Sequence, residues 1–226
     1  MKRFERGYEF GQELPAGLVR LAGIDVDLNR SEVLLEKDTF CDSDLEELFE
    51  VKTGEWYTKD GWIVGKNPKM CPGMIVSKQN YFGDVMLEAT VRMVEPSTHD
   101  VNFMINGEWI EEKNQRGLAY VAGLEAFWHG NIGFEKSPEY KLIGATQLFE
   151  FDPNKEYRFR LGNAGGRIFV MVDDRLCLEI RDPDPIDGEK YGKIGFEAFS
   201  SWWQFKHLKV YRLSYERVRE YYHSEF

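Results

Sequence analysis

Regular alternation of apolar and polar side chains is the feature of this sequence that most constrains its fold. Between Val85 and Met93 every second residue is apolar, and the residues between them include Glu88 and Arg92. Residues 100–106 alternate in largely the same way. Side chains of a β-strand point alternately to the two faces of its sheet, so each segment has one face for a core and one for water. The pattern therefore predicts antiparallel sheets, each with one buried face.

Turn-forming residues separate such segments at short intervals from about residue 50 to residue 213. Asp60-Gly61 lies between two apolar runs, and this dipeptide favours a tight hairpin because both residues tolerate a positive φ. Further turns are predicted at residues 162–166 and at Asp173-Asp174. Closely spaced strands and turns are typical of an all-β domain. We therefore predict a two-sheet antiparallel β-sandwich over residues 45–213, within a single domain.

The two ends of the chain lack this regular succession of strands and turns. Residues 1–44 contain short apolar runs broken by Pro15, Gly17 and Gly23, which predicts an N-terminal extension packed on the sandwich and adding an edge strand. In residues 42–47 an Asp or Ser that can cap a helix precedes further acidic residues, which favours one short helical turn. Residues 214–226 form a C-terminal tail, whose spacing from Tyr215 onward predicts a helix that caps one end.

Length, charge and cysteine usage exclude several classes of function. A chain of 226 residues can bury a large core without a disulfide or a metal. The formal net charge is -10 and no basic stripe occurs, so nucleic acid and membranes are poor partners. No run approaches the roughly 18 apolar residues of a membrane span, and no secretory signal is recognisable. Cys41, Cys71 and Cys177 are far apart, so we expect reduced, mostly buried thiols and a cytoplasmic location.

The order of these signals resembles a known group of sandwich proteins. The residues that carry the resemblance are Gly-Glu-Trp-Tyr-Thr-Lys-Asp-Gly-Trp at 54–62, Leu-Glu-Ala-Thr-Val-Arg at 87–92, Tyr-Arg-Phe-Arg at 157–160, Ile-Phe-Val-Met-Val-Asp-Asp at 168–174 and Gly-Lys-Ile-Gly-Phe at 192–196. They are similar to the concanavalin A-like (jelly-roll) and laminin-G-type sandwiches of bacterial carbohydrate loci. Closest in layout are the YesU-like family and the neighbouring keto-disaccharide hydrolase family.

The resemblance covers roughly residues 45–213 and implies a concanavalin-like sandwich that works on sugars. It implies no catalytic residue, because the shared signals are mostly those of turns and core. The Glu-x-Asp-x-x-Glu motif of sandwich glucanases and the motifs of sandwich alginate lyases are absent, which argues against those two activities.

Polar residues on the predicted strands could converge on the concave sheet, if those strands are neighbours. Carboxylates, an imidazole and a guanidinium would then share one trough suited to general acid–base chemistry. The alternative is the ordinary solvated side of an antiparallel sheet, where Glu–Arg pairs are routine. The candidates are Glu125 and His129 as acid and base, Glu88 and Glu197 as alternates, and Arg92, Asn102 and Asn106 to orient the substrate.

Four tryptophans lie at predicted strand ends or loops, where an exposed indole could stack on a sugar ring. They are Trp109, Trp128, Trp202 and Trp203, of which Trp128 and the adjacent pair are the candidate substrate contacts. A strand must send Trp202 and Trp203 to opposite faces, so one of them is expected in the core. Burial is the commoner fate of each tryptophan taken singly.

Acidic turns offer ligands for a metal, chiefly His99-Asp100, Asp173-Asp174 and residues 182–187. Concanavalin-like sandwiches often hold a structural calcium in such loops, but these residues lack a fixed ligand spacing. Solvated turns are therefore the favoured interpretation, with no cofactor and a structural calcium as the alternative.

We predict a glycoside hydrolase or lyase that acts on an oligosaccharide or modified sugar in the trough. A domain without an attached catalytic partner has little use as a bare binding module, which favours an enzyme. Two alternatives stay open. One is a non-catalytic carbohydrate-binding protein that uses the same trough. The other is a structural subunit whose exposed aromatic residues form an oligomer interface.

Overall fold

The computed structural model describes residues 15–126, 131–139, 141–147 and 149–218. Within these ranges the chain forms eighteen β-strands, one short helix and one 3-10 turn. The elements up to residue 107 are β1 (Leu18–Leu21), β2 (Ile24–Asp27), β3 (Glu32–Lys37), α1 (Asp42–Leu48), β4 (Phe49–Val51), β5 (Glu55–Lys59), β6 (Trp62–Ser77), β7 (Val85–Met93) and β8 (Val101–Gly107). The later elements are β9 (Trp109–Ile110), the 3-10 turn (Glu111–Lys113), β10 (Gln115–Arg116), β11 (Ala119–Ala126), β12 (Asn131–Ser137), β13 (Lys141–Thr146), β14 (Glu156–Ala164), β15 (Arg167–Val172), β16 (Arg175–Arg181), β17 (Lys193–Arg212) and β18 (Tyr215–Arg217). The predicted all-β antiparallel sandwich is confirmed.

Two long strands, β6 and β17, run through both sheets of the sandwich. The first sheet has the order β13-β12-β11-β8-β17-β6-β4 and uses residues 193–198 of β17. The second sheet has the order β16-β15-β14-β7-β17 and uses residues 203–212 of β17. On its other side this part of β17 pairs with the first half of β6, and then with β3. All of these pairs are antiparallel.

A β-bulge allows β17 to serve both sheets. Its register against β6 shifts between Phe199 and Ser201, and Ser200 between them has a φ of 53°. A bulge adds one residue to a strand, bends it and increases its twist. The side chains that face the core are therefore Phe196 and Ala198 before the bulge and Trp203 after it.

The core lies between the two sheets and contains the apolar positions that alternation predicts on β7 and β8. Phe103 of the first sheet meets Phe159 of the second edge-to-face, with ring centroids 4.7 Å apart. Phe196 and Phe205, on either side of the bulge, stack at 3.9 Å. Contacts of this kind make one continuous core for both sheets.

The two ends of the chain meet in a small separate sheet of order β1-β2-β18. Its side chains pack on Met86 and Phe169, which face outward from the second sheet. The predicted C-terminal helix is wrong for Tyr215–Arg217, because Tyr215 pairs with Val26 and donates its hydroxyl to Asp84 at 2.6 Å. Helical spacing alone carries no information on such distant partners. The remainder of that predicted helix, from residue 219, lies outside the described residues.

The three cysteines are free thiols. Cys41 and Cys71 are exposed, so the expectation of mostly buried thiols is wrong for these two. Cys41 precedes the first turn of α1, and Cys71 lies in the irregular middle of β6. Over the part of the chain described, no helix is long and apolar enough to cross a membrane.

Candidate functional site

The predicted trough does not exist as one surface. Glu88 and Arg92 lie on the outer face of the second sheet, whereas Asn102 and Glu197 lie on the outer face of the first. The reason is that β7 and β8, although consecutive, pair with different parts of β17 and so belong to different sheets. Alternation assigns residues to a face of their own strand, but it does not tell which strands are neighbours.

Three of the predicted site residues, namely Glu88, Asn106 and Trp203, make contacts that belong to the fold itself. Glu88 is buried and ion-paired with Arg160. Asn106 has a φ of 45°, and its side chain donates to the carbonyl of Gly83 at 3.0 Å. Trp203 is fully buried in the core, so it cannot stack on a ligand, whereas Trp202 points to the opposite face as the pair argument requires. The candidates Trp128 and His129 lie outside the described residues.

A buried ion-pair cluster lies on the outer face of the first sheet, and we call it the Arg116 cluster. Arg116 bonds to Glu135 at 2.7 Å, to Ser137 at 2.7 Å and to Glu197. The three charged side chains are at most 8% exposed. Burial raises the pKa of the Glu135 carboxyl, and the charge of Arg116 opposes that rise. Buried charges of this kind persist only when they are paired and hydrogen-bonded.

Asp100 lies beside this cluster and carries the most perturbed carboxyl in this part of the fold. Burial, followed by the negative charge of Glu197, raises its pKa to about 7. Its carboxylate accepts a bond from the backbone N–H of Phe199 at 2.9 Å, and its own N–H donates to the carbonyl of Glu125 at 3.2 Å. Asp100 and Glu125 have φ values of 75° and 52°, a conformation that costs free energy for residues other than glycine.

Asn102 is the remaining predicted residue near Asp100. It pairs with Glu197 across the strands and is buried. Within the described ranges its side-chain oxygen has no hydrogen-bond partner. Burial also raises the pKa of Glu125, which is only half buried. The structure therefore brings Asn102, Glu125 and Glu197 into one neighbourhood with Arg116 and Glu135, which were not predicted. Asp100, considered from the sequence only as a metal ligand, lies there too.

An open pocket of about 560 Å³ lies on the outer face of the second sheet, and we call it the Trp62–Trp202 pocket. Its volume is in the range of small-molecule sites. Aromatic and hydrogen-bonding side chains line it, namely Tyr57, Trp62, Arg92, Asn154, Trp202 and Gln204. Arg92 and Trp202 are the two predicted substrate contacts that the structure brings together.

The side chains of Lys206 and Arg92 pack against the ring of Trp62 at the floor of this pocket. Lys206 Nζ lies 4.2 Å and the Arg92 guanidinium carbon 4.9 Å from the ring centroid of Trp62, which is 6% exposed. With its amide oxygen turned toward Arg92, Gln204 accepts from Nε at 3.0 Å and from Nη2 at 2.6 Å. Arg92 also pairs with Glu156 at 3.3 Å. These contacts fix the guanidinium before any ligand arrives.

The loop from β7 to β8 forms a wall of the pocket and is tied to β17. The N–H of Val94 donates to the carbonyl of Trp202 at 2.9 Å, and the N–H of Trp202 donates to Ser97 Oγ at 3.0 Å. Ser201 Oγ donates to the carbonyl of Asp100 at 2.9 Å. Wall and floor are therefore connected by hydrogen bonds, and the pocket is preformed.

The sequence analysis did not identify Trp62, Gln204 or Lys206, although the sequence contains a signal for Gln204 and Lys206. Trp202, Gln204 and Lys206 follow each other with period two on one strand, and that spacing places them on one face. Arg116 had no such signal, because it lies on the two-residue strand β10.

Among the residues that the structure describes, no group of three or more His, Cys, Asp and Glu side chains is arranged to hold a metal ion. In the acidic loop at 182–187, one carboxylate oxygen of Asp182 accepts from Tyr120 at 2.7 Å and from Lys136 at 2.8 Å.

Comparison with known proteins identifies the fold. No protein-family model and no curated protein matches the chain. A protein of unknown function with a galectin-like fold from Bacillus subtilis matches with a TM-score of 0.65 and 12% identity, covering 84% of this chain and 100% of that one.

Two further solved structures match. Carbohydrate-binding module CBM66 from Bacillus subtilis matches with a TM-score of 0.60 and 18% identity, over 72% of this chain and 94% of the module. The exoplasmic/lumenal domain of VIP36, in a form bound to Ca²⁺ and Man3GlcNAc, matches with a TM-score of 0.58 and 13% identity, over 83% and 93%. At these identities the likeness establishes the fold, a galectin-like and concanavalin-like β-sandwich.

Proposed function

We propose that this protein binds a carbohydrate in the Trp62–Trp202 pocket. The observation that carries the proposal is the combination of a partly exposed indole, Trp202, with a guanidinium and an amide in one preformed pocket. A sugar ring has apolar C–H faces that stack on an aromatic ring and hydroxyl groups that need hydrogen-bond partners. Trp202 supplies the first, and Arg92, Gln204 and Asn154 supply the second.

The fold supports the same proposal by analogy. A carbohydrate-binding module and a lumenal domain bound to Man3GlcNAc share this architecture. Fold alone does not determine function. The proposal therefore rests on the residues of the pocket, and the shared fold is supporting evidence. Membership of the YesU-like family and a cytoplasmic location belong to the proposal too. The motif order over residues 45–213 supports the family, and the three free cysteines support the location.

Loss of the Trp202 indole tests the proposal. Affinity is measured by titration calorimetry against a panel of neutral and acidic oligosaccharides, for the wild type and for Trp202→Ala. We expect at least a tenfold loss of affinity in the variant, equivalent to about 1.4 kcal/mol. Trp109→Ala is the matched control, because that indole is half-buried against the outer face of the first sheet and does not line the pocket. Unchanged affinity in Trp202→Ala, or no binding across the panel, would contradict the proposal.

A second candidate function is glycoside hydrolysis or cleavage by a lyase beside the Arg116 cluster. The observation that favours it is Asp100, whose pKa of about 7 leaves it partly protonated near neutral pH. Such a group can act as a general acid. Half-buried Glu125 lies next to it and would be the second carboxylate, as the sequence predicts.

Chromatography of the same oligosaccharide panel after incubation with the protein tests the second candidate. We expect new reducing ends or unsaturated products with the wild type, and a loss of at least a hundredfold in rate with Asp100→Asn or Glu125→Gln. Glu112→Gln, an exposed carboxylate in the 3-10 turn, is the control and should retain the wild-type rate. If the wild type converts none of the oligosaccharides, or both variants keep the full rate, this function is excluded.

A further inference from the structure

A second cavity of about 380 Å³ adjoins the Trp62–Trp202 pocket, and we call it the Lys66 pocket. Pro96, Ser97, Thr98 and Trp202 line both cavities, so the two are neighbours with Trp202 at their boundary. An indole that borders two cavities can contact two successive units of one ligand. A ligand that fills only the first cavity would leave the second to water.

The charges around the Lys66 pocket differ from those of the chain as a whole. Lys66 and His99 line it, and no carboxylate is among its described lining residues. Lys66 Nζ lies 4.8 Å from the ring centroid of Trp202, where the two cavities meet. The ion pair of Lys66 with Glu55 spans 3.8 Å between exposed side chains, so it neutralises the ammonium group only weakly. In a chain with a net charge of -10, this is a local site for an anion.

Hydroxyl groups complete the lining. Thr98 and Ser200 add hydroxyl groups to a lining that Pro68, Pro96 and the Trp202 ring make mostly apolar. The hydroxyl groups of Ser97 and Ser201 already bond to the N–H of Trp202 and the carbonyl of Asp100. A mixed lining of hydroxyl groups, proline rings and one ammonium group suits a sugar unit that carries a carboxylate or a sulfate. A purely apolar ligand would leave the ammonium group without a counter-charge.

We infer that the ligand is an oligosaccharide of at least two units that crosses Trp202 and places an anionic unit, carboxylated or sulfated, in the Lys66 pocket. This inference rests on the proposed carbohydrate binding and adds the length and charge of the ligand. Lys66 is the residue that selects the anionic group, and Trp202 contacts both units.

Matched acidic and neutral ligands test the inference. The probes are trimers of galacturonate and of glucuronate, the same trimers as full methyl esters, a galactose trimer in sulfated and unsulfated form, and the monosaccharides. The proteins are the wild type, Lys66→Gln and the control Lys141→Gln, which removes an exposed charge from β13 on the first sheet. Melting temperatures confirm that each variant is folded, and calorimetry gives the affinities.

We expect at least one free-acid or sulfated trimer to bind at least tenfold more tightly than its neutral counterpart and its monosaccharide. Lys66→Gln should reduce this preference to below threefold, and Lys141→Gln should preserve it. Preference for the carboxylated or for the sulfated trimer distinguishes the two anionic groups.

Three outcomes would overturn the inference. Equal binding of every carboxylated or sulfated trimer and its neutral counterpart, or of trimers and monosaccharides, would do so and leave the proposed carbohydrate binding intact. An anion preference that survives in Lys66→Gln would also overturn it. Absence of binding to every saccharide, neutral ones included, would remove the proposed function and the inference together.

Discussion

Asp100 combines a buried carboxyl group with a backbone φ of 75°. Its pKa is raised from 3.8 to about 7 because burial and Glu197 disfavour the charged form. In the folded protein the group therefore keeps a proton that the unfolded chain releases. Its contribution to stability is present in full below pH 3.8 and is lost as the pH rises toward 7.

Asp100→Asn makes this site neutral at every pH. The amide oxygen can still accept from the N–H of Phe199, and asparagine tolerates a positive φ. Relative to the wild type, the free energy of unfolding of the variant should increase as the pH rises from about 4 to 8. The increase should be on the order of a few kcal/mol. Urea unfolding at several pH values measures the difference in free energy of unfolding.

The matched control is Asp60→Asn, which makes the same change at an exposed turn residue with a φ of 52°. Because this side chain is exposed, the substitution should leave the free energy of unfolding within about 0.5 kcal/mol of the wild type. A pH-independent difference for Asp100→Asn would show that Asp100 is not protonated in the folded protein.

At the scale of elements, a buried side chain helps to connect the excursion from β9 to β10 to the first sheet. Arg116 lies on β10 and reaches Glu197 on β17 and Glu135 on β12. Apolar side chains, Met74 and Met104 among them, pack beside this ion pair. The excursion and the sheet are therefore joined by a buried ion pair as well as by apolar packing.

Arg116→Met should destabilise the protein by about 3–5 kcal/mol, because two buried carboxylates lose their counter-charge. The loss should shrink as the pH falls, because burial raises the pKa of Glu135 and its protonation removes one unpaired charge. Arg212→Met is the control. Arg212 pairs with Glu32 at the surface at 2.6 Å, and such a pair contributes at most about 1 kcal/mol. Urea midpoints measure both effects, and equal losses in the two variants would contradict this account of the Arg116 cluster.

At the scale of the whole molecule, the core couples the two sheets. Phe103 on β8 and Phe159 on β14 meet edge-to-face across the sandwich, and β17 belongs to both sheets. A shared strand and a shared core leave no boundary along which one sheet could unfold alone.

Unfolding in urea should therefore be a single transition, with coincident curves from tryptophan fluorescence and far-UV circular dichroism. Phe103→Leu and Phe159→Leu should each lower the free energy of unfolding. Their effects should be non-additive by about 0.5–1.5 kcal/mol, the usual coupling of an aromatic pair. Phe103→Leu with Phe169→Leu is the control pair, because Phe169 packs on the outer face of the second sheet. Two separate transitions, or strict additivity for Phe103 and Phe159, would contradict a single coupled core.

The sequence by itself determined the fold class and the face of each strand. Alternation along β7 and β8 identified their buried residues, and the adjacent pair Trp202-Trp203 required one indole on each face. These inferences succeeded because side-chain direction in a strand depends only on neighbours along the chain.

The tertiary structure alone decided which faces meet. β7 and β8 are consecutive but lie in different sheets, so Glu88 and Arg92 are separated from Asn102 and Glu197. The bulge at Ser200, the pairing of β18 with β2 and the reach of Arg116 across three strands all depend on residues far apart in sequence. Period-two patterning contains no information on strand order, and strand order is what assembles a site.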